Sequence, residues 1–254
     1  MMADGSPPGT AGSPVNDLRR HWLVWLAPEF RSMVSEQVAN PMLRQIVGDF
    51  LAADWPLVIP SQACSSAGDS LRSTSIAVGM PLPPSQGKHR LAFKVPPESI
   101  VRAAPPLKLA DAILGLTKQW RAPLQQLLDE ADAIGLEFHV FGSVAWESLT
   151  GRGYLTSESD IDLLWRPADC AQIGAAIALL TTWETKTGLK VDGEIVLNDD
   201  IGVSWREWRA VHQLGSATHI LVKTLQGPRL CLPSELLSGM PRRRPIYSGA
   251  MVCA

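Results

Sequence analysis

Hydrophobic positions recur at two different spacings along the chain, which predicts a mixture of helices and strands. Between residues 28 and 53 the apolar side chains return at helical spacing, and Pro41 marks the start of a second short helix. Short apolar runs bounded by Pro- and Gly-rich turns predict strands at 20–26, 57–59, 75–78 and 91–95. We therefore expect a small α+β unit over residues 17–98, preceded at residues 1–16 by a disordered tail rich in Gly, Ser and Pro.

The second half of the chain shows the same mixture after a proline-rich segment at residues 96–106, which we interpret as a linker or a rigid lead-in. Pro123 is expected at the first turn of a helix, Asp169 as the cap of a later one and Gly188 at its end. The predicted helices lie at 107–116, 124–134, 171–182 and 204–211, and the predicted strands at 138–141, 159–165, 190–197, 218–224 and 229–232. This pattern predicts a second unit over residues 99–232 and a C-terminal tail at 233–254.

One stretch of the second unit contains the main candidate site residues. A buried strand at residues 138–141 ends at Gly142 and Ser143, which open a short helix. A glycine there lets the backbone approach a ligand closely, and the amides of the helix N-terminus suit phosphate. On the next strand Asp160 and Asp162 are two residues apart, so both carboxylates leave the same face. Such a pair repels itself unless a cation lies between, and hard oxygen ligands suit Mg²⁺ with a phosphorylated substrate.

A third acid and a lysine follow on later strands. The segment VDGEIVL alternates so that Asp192 and Glu194 share a face, and either could complete a metal site or accept a proton. Asp192 is preferred, and Glu194 stays open. The strand THILVKT delivers Lys223, a candidate counter-charge for phosphate. The histidines His21, His139 and His212 stand singly, which is typical of structural residues rather than ligands.

Composition narrows the class of protein. The formal net charge is −2 over 254 residues, which disfavours a dedicated nucleic-acid binder because such proteins carry a basic excess. No apolar run reaches the roughly 18 to 20 residues of a membrane span, and no secretory leader is evident. Four cysteines stand far apart without metal-site spacing. We expect a cytoplasmic protein that binds neither membranes nor nucleic acid.

The order of strand, Gly-Ser, helix and Asp-Ile-Asp strand resembles the nucleotidyltransferase fold of the DNA polymerase beta superfamily. A closer resemblance covers residues 19–232. The segments RHWLVWL, GMPLPPSQGKHRLAFKVP, VFGSVAWESLTGRGYLTSESDIDLLW, VDGEIVL and HILVKT together resemble the malonate decarboxylase holo-[acyl-carrier-protein] synthases, or phosphoribosyl-dephospho-CoA transferases. This resemblance implies an α+β nucleotidyltransferase domain with a mixed sheet and flanking helices, preceded by a small α+β domain. The long gap between Ser143 and Asp160, with its TGRGYL segment, looks like a feature of that family.

The resemblance also implies a reaction. Such enzymes take 2'-(5''-triphosphoribosyl)-3'-dephospho-CoA, transfer its phosphoribosyl-dephospho-CoA part to a serine of the acyl-carrier protein of malonate decarboxylase, and release pyrophosphate. We accordingly expect Asp160 and Asp162 as Mg²⁺ ligands, Asp192 as the third catalytic carboxylate, and Gly142, Ser143 and Lys223 in substrate binding. The segment Lys88–Arg90 is a candidate contact for the dephospho-CoA end or for the acidic carrier.

Two alternatives from other classes stay open. One is another Mg²⁺-dependent nucleotidyltransferase, acting on the citrate lyase carrier protein, an RNA end or a small molecule such as an antibiotic. The other is a non-catalytic module that kept the fold. The presence of both Asp160 and Asp162 favours the enzyme.

Overall fold

The computed structural model describes residues 18–60, 75–198, 201–214 and 218–238. The predicted N-terminal tail and most of the predicted C-terminal tail lie outside these ranges, so both stay predictions. Within the described ranges the strands form two sheets, one with five strands and one with seven. Helices pack on both, and the second sheet is mixed, which confirms the expected α+β class.

The first sheet is antiparallel throughout and has the order β4-β3-β2-β1-β5. Its strands are β1 (Leu23–Leu26), β2 (Leu57–Val58), β3 (Ile76–Pro81), β4 (Arg90–Val95) and β5 (Ile100–Ala104). Two helices follow β1, namely α1 (Arg31–Glu36) and α2 (Pro41–Ala52). The Asn40 side chain caps α2 by accepting the amides of Met42 and Leu43, so this helix begins where the sequence predicts.

The segment expected as a linker proved to be part of the fold. Residues 100–104 form β5, which pairs with β1 along the edge of the first sheet. The prolines of this segment lie before and after the strand, where a missing amide costs no ladder hydrogen bond. The linker interpretation was therefore wrong, while the division of the chain into units stays a prediction.

The second sheet has the order β12-β11-β10-β9-β8-β7-β6. Its strands are β6 (Leu107–Lys108), β7 (Phe138–Val140), β8 (Ile161–Trp165), β9 (Val191–Val196), β10 (Gly202–Ser204), β11 (Ile220–Thr224) and β12 (Gly227–Cys231). Neighbours are antiparallel apart from β8 and β9, which are parallel and joined by a long helix. The helices are α3 (Leu109–Ala112), α4 (Lys118–Asp132), α5 (Gly142–Thr150), α6 (Cys170–Thr187), α7 (Trp205–Leu214) and α8 (Pro233–Leu236).

Two helical predictions need correction. Residues 107–116 form β6, the single turn α3 and a 3₁₀ turn rather than one helix, because Leu107 and Lys108 pair with β7. Pro123 lies inside α4 rather than at its first turn. Burial of Trp120 on the face that also buries Leu124 extends this helix upstream of the proline. The ends of α6 are as expected, since the Asp169 carboxylate accepts the Gln172 amide at 2.9 Å and Gly188 ends the helix in a left-handed conformation.

Each sheet has its own hydrophobic core, but the two cores are not contributed by separate parts of the chain. Trp146 of α5 and Tyr154, which follows that helix, pack among the buried residues of the first unit. The Trp146 ring lies 5.9 Å from that of Phe50 on α2. Helix α5 therefore belongs to both units. Across the described helices, none combines the length and the apolar character that a bilayer span requires.

Candidate active site

The Gly-Ser turn lies directly against a carboxylate. Gly142 has a φ of +60°, and a Cβ added there would overlap Oδ2 of Asp162 and lie 2.7 Å from its Cγ. The Asp162 carboxylate also accepts the backbone N–H of Ser143. Helix α5 thus directs its first amides at an acid that reaches it from the neighbouring strand β8. Glycine is required here by both the backbone conformation and the space.

Asp162 is the most perturbed acid of this site. Burial raises its pKa to about 7, and the nearby negative charges of Asp192 and Asp160 add to the rise. The charge of Arg90 and the hydrogen bond from Ser143 oppose it. The carboxyl of Asp162 is therefore protonated at a much higher pH than an ordinary aspartate, unless further positive charge enters the site.

Asp160 and Asp192 surround Asp162 on different elements. Asp192 is the direct partner of Asp162 in the parallel register of β8 and β9, so the two side chains leave the same face. Asp160 is exposed and lies just before β8, because this strand begins at Ile161. Among the described residues, no three His, Cys, Asp or Glu side chains are close enough in this arrangement to hold a metal ion together. One oxygen of Asp192 accepts the amide of Gly193 at 2.8 Å.

The donor set nevertheless has the chemistry of a hard-cation site. Carboxylate oxygens are the ligands that Mg²⁺ prefers, and this ion is usually held by one or two of them together with substrate phosphates. Burial is the main cause of the raised pKa of Asp162, the negative charges of Asp192 and Asp160 add to it, and a bound cation would relieve this repulsion. Asp160 and Asp162 would therefore supply protein ligands, with further oxygens from a phosphorylated substrate.

Glu194 and Lys223 belong to a different cluster. Glu194 is only 4% exposed and forms ion pairs with Arg20 and with Lys223, whose Nζ lies 2.8 Å away. The ring of His21 is 3.5 Å from the same carboxylate. Burial disfavours the charged form, but the hydrogen bond from His21 and the charges of Arg20 and His21, with Lys223, outweigh it and lower the pKa of Glu194 to about 2. The structure thus brings Asp192, and not Glu194, beside Asp162, and it pairs Lys223 with Glu194.

A cavity of about 370 Å³ opens between the two units at the Gly-Ser turn. Gly142, Ser143 and Asp162 line it from the second unit, and Lys88 and Arg90 from the first. His21 also lines it, and its ring contacts that of Phe141, the residue before the turn, with 4.3 Å between the centroids and 41° between the ring planes. Asp160 and Asp192 instead line a neighbouring surface cleft.

Two contributors to this site, His21 and Tyr154, were not among the predicted site residues, and Arg90 was predicted only as a contact for the dephospho-CoA end or the carrier. Arg90, His21 and Tyr154 reach it only because the first unit packs on α5. His21 has a positive φ of +66° and contacts Glu194 and Phe141. These are tertiary features, which cannot be predicted from a lone histidine in an apolar run. The TGRGYL segment is the one sequence signal that pointed toward Tyr154.

An acidic group on a Gly-Ser turn that lines a cavity between two α+β units is an arrangement that can bind a phosphorylated substrate together with a cation. Comparison with known proteins gives the family. The family model described as the phosphoribosyl-dephospho-CoA transferase MdcG N-terminal domain matches residues 19–106, and the model of the corresponding C-terminal domain matches residues 108–233. The chain belongs to the phosphoribosyl-dephospho-CoA transferase family and is a transferase.

Similar curated proteins span most of the chain. A phosphoribosyl-dephospho-CoA transferase of Xanthomonas euvesicatoria is 41% identical over 219 residues, which are 86% of this chain and 95% of that protein. A protein of the same name from Xanthomonas campestris is 37% identical over 86% of this chain and 95% of its own length. The Bradyrhizobium diazoefficiens protein is 31% identical over 87% of this chain and 92% of its own length. No solved structure matches.

Proposed function

We propose that this protein transfers the phosphoribosyl-dephospho-CoA group from 2'-(5''-triphosphoribosyl)-3'-dephospho-CoA to a serine of the acyl-carrier protein of malonate decarboxylase, with release of pyrophosphate. The observation that carries the proposal is the Asp162 carboxylate, held on the Gly-Ser turn beside Asp192 in the adjacent parallel strand. The names of the similar proteins supply the transferred group.

We assign the second unit to the nucleotidyltransferase fold as part of this proposal. Support comes from the order of its elements: β7, the Gly-Ser turn and α5 are followed by Asp160, by β8 with Asp162, and by the parallel β9 with Asp192. The antiparallel pairing of β7 and β8 brings the end of one strand to the start of the next. This pairing is what places Gly142 against Asp162.

The proposed reaction is an in-line displacement at phosphorus. The serine oxygen forms a bond to the phosphorus atom attached to the ribose, the bond from that phosphorus to the bridging oxygen breaks, and pyrophosphate leaves with the electron pair. The amides at the start of α5 and the Ser143 hydroxyl bind phosphate oxygens. Asp160 and Asp162 would hold Mg²⁺. The bound ion would neutralise the charge that develops on the leaving pyrophosphate.

The third acid has a distinct role. Asp192 is exposed and lies across from Asp162, so it can accept the serine proton or complete a second cation site. Glu194 is assigned to neither role, because its carboxylate is already held by Arg20 and Lys223.

The test is transfer to the carrier, followed by mass spectrometry. Purified enzyme, apo-carrier, the triphosphoribosyl precursor and Mg²⁺ are incubated, and the intact carrier is weighed. The wild-type enzyme adds one phosphoribosyl-dephospho-CoA group to each carrier. Asp162→Asn and Asp192→Asn lower the rate by about 100-fold or more, as loss of one key electrostatic group does in other enzymes. Asp132→Asn, an exposed aspartate of α4, is the matched control and keeps the full rate.

Parallel reactions separate the alternatives. The citrate lyase carrier, a small-molecule acceptor and an RNA oligonucleotide are offered with the same precursor or with nucleoside triphosphates. Transfer to any of these, without transfer to the malonate decarboxylase carrier, contradicts the proposed acceptor. Absence of transfer to every acceptor, by a folded protein that binds Mg²⁺ and precursor, would instead favour a non-catalytic module.

A further inference from the structure

The basic side chains around the site differ in whether they already form an ion pair. Lys223 and Arg20 are paired with Glu194. Arg90 differs, because its side chain is exposed and forms no ion pair with any described residue. It nevertheless lies close enough to Asp162 for its charge to act on that carboxyl. Arg90 is therefore an available cation at the acidic end of the cavity.

Arg90 is positioned by the rigid end of a hairpin. It opens β4 and is the cross-strand partner of Pro81, the last residue of β3. Between them the loop is closed by a hydrogen bond of 2.8 Å from the Leu82 amide to the His89 carbonyl. Pro83 and Pro84 restrict the loop further, since their φ angles are fixed. The hairpin thus presents Arg90 from a stiff support.

The second unit holds this hairpin through the TGRGYL segment. The Tyr154 hydroxyl donates a hydrogen bond of 3.1 Å to the carbonyl of Pro81, the partner of Arg90. The Tyr154 backbone is itself held by the buried Glu147 carboxylate of α5, which accepts the amides of Tyr154 at 3.0 Å and Leu155 at 2.8 Å. The helix that begins with the Gly-Ser turn therefore also fixes the position of Arg90, by way of Glu147, Tyr154 and Pro81.

We propose that Arg90 binds the triphosphate of the substrate from the wall of the cavity that the first unit contributes, and that Tyr154 positions it. The inference rests on the proposed function and adds a substrate-binding residue from the first unit. A triphosphate carries about four negative charges, and the planar fork of a guanidinium matches its oxygens two at a time. In this arrangement the acids of the second unit bind the cation, and Arg90 binds the phosphates.

Binding of inorganic tripolyphosphate with Mg²⁺, measured by calorimetry on the full chain, tests Arg90 without any transfer step. Arg90→Gln weakens binding about tenfold or more, the usual effect of losing a charge-assisted hydrogen bond. Arg90→Lys lies between it and the wild type, because the charge stays and the fork is lost. Lys94→Gln is the matched control and leaves binding unchanged, since Lys94 is exposed on the same face of β4 but outside the cavity.

Tyr154 is tested by a double-mutant cycle. Tyr154→Phe weakens tripolyphosphate binding less than Arg90→Gln does, and its effect disappears when Arg90 is already Gln, because it acts through the arginine. A purely structural role for the hydroxyl would instead lower binding by the same factor in both backgrounds. Circular dichroism and melting curves confirm that every variant is folded.

Steady-state transfer then separates this inference from the proposed function. Arg90→Gln raises the KM for the triphosphoribosyl precursor and leaves the KM for the apo-carrier unchanged. A rise in the carrier KM alone, tripolyphosphate binding that is insensitive to Arg90→Gln, or no binding by the wild type would each overturn the inference. Absence of transfer by a wild-type protein that still binds tripolyphosphate through Arg90 contradicts the proposed reaction only.

Discussion

Replacement of Gly142 by alanine tests the geometry at the centre of the site. An alanine there meets two separate penalties. Its φ of +60° costs an L-residue roughly 1–2 kcal/mol. The new methyl also overlaps the Asp162 carboxylate, which must move and give up the Ser143 amide; a hydrogen bond to a charged group is worth about 1.5–3 kcal/mol.

Gly151 provides a control for the first penalty. It ends α5 with a φ of +67°, and a Cβ added there meets nothing within 4 Å. The only free-energy cost of Gly151→Ala is therefore that of the backbone conformation. Thermal unfolding should place Gly142→Ala below Gly151→Ala by about 3–12 °C, at about 2–4 °C per kcal/mol for a chain of this size. Transfer activity should fall strongly in Gly142→Ala and persist in Gly151→Ala.

The double variant with Asp162→Ala decides whether the clash is the cause. Without the carboxylate only the Cβ of residue 162, at 3.2 Å, stays close to the new methyl, so Gly142→Ala should cost in this background only slightly more than Gly151→Ala does in the wild type. Equal losses from Gly142→Ala with and without Asp162 would refute the claim that the turn and this carboxylate are in contact.

Two further predictions concern pH. The folded-state pKa of Asp162 is raised to about 7, above its ordinary value of 3.8. Ionisation of Asp162 therefore reduces the stability of the fold as the pH rises from 3.8 through 7. Asp162→Asn should therefore be more stable than the wild type at pH 8, by about 1–3 kcal/mol, but not at pH 3, and Mg²⁺ should raise the melting temperature of the wild type only. Ionisation of Glu194 has the opposite effect on stability, because its pKa is lowered to about 2 in the folded state. Its stabilising contribution is complete above pH 4.5 and is lost as the pH falls toward 2. Glu194→Gln should lower stability by about 3 kcal/mol at pH 7, because Arg20 and Lys223 lose their shared partner, and should show a flatter acid limb in denaturation curves; an unchanged acid limb would contradict this assignment.

The parts of the site that depend on neighbouring residues were accessible from the sequence. A strand that ends in Gly-Ser and a strand that opens with Asp-Ile-Asp are local patterns, and the structure places Gly142 against Asp162. The choice between Asp192 and Glu194 was not accessible, because alternation puts both on one face. Only the register of β8 against β9, set by residues about thirty positions apart, brings Asp192 beside Asp162.

Contacts between the units were the least accessible. Lys223 pairs with Glu194, and that pairing includes Arg20 from near the start of the described chain, which the sequence did not reveal; its expected role in phosphate binding stays a prediction. Helical periodicity over residues 107–116 was also misleading, because two of those residues complete the edge of a sheet. In both cases a partner distant in the sequence determines the contact that the structure shows.

The rings of Trp146 and Tyr154 have a consequence for how the chain can be divided. A fragment that begins after residue 106 would retain Asp160, Asp162 and Asp192 but expose both rings to water, because their packing partners lie on the missing half. It would also lack Arg90. Neither half is then an independent enzyme, and activity from separately produced halves requires that they reassemble into one particle, as in a split-protein complementation assay.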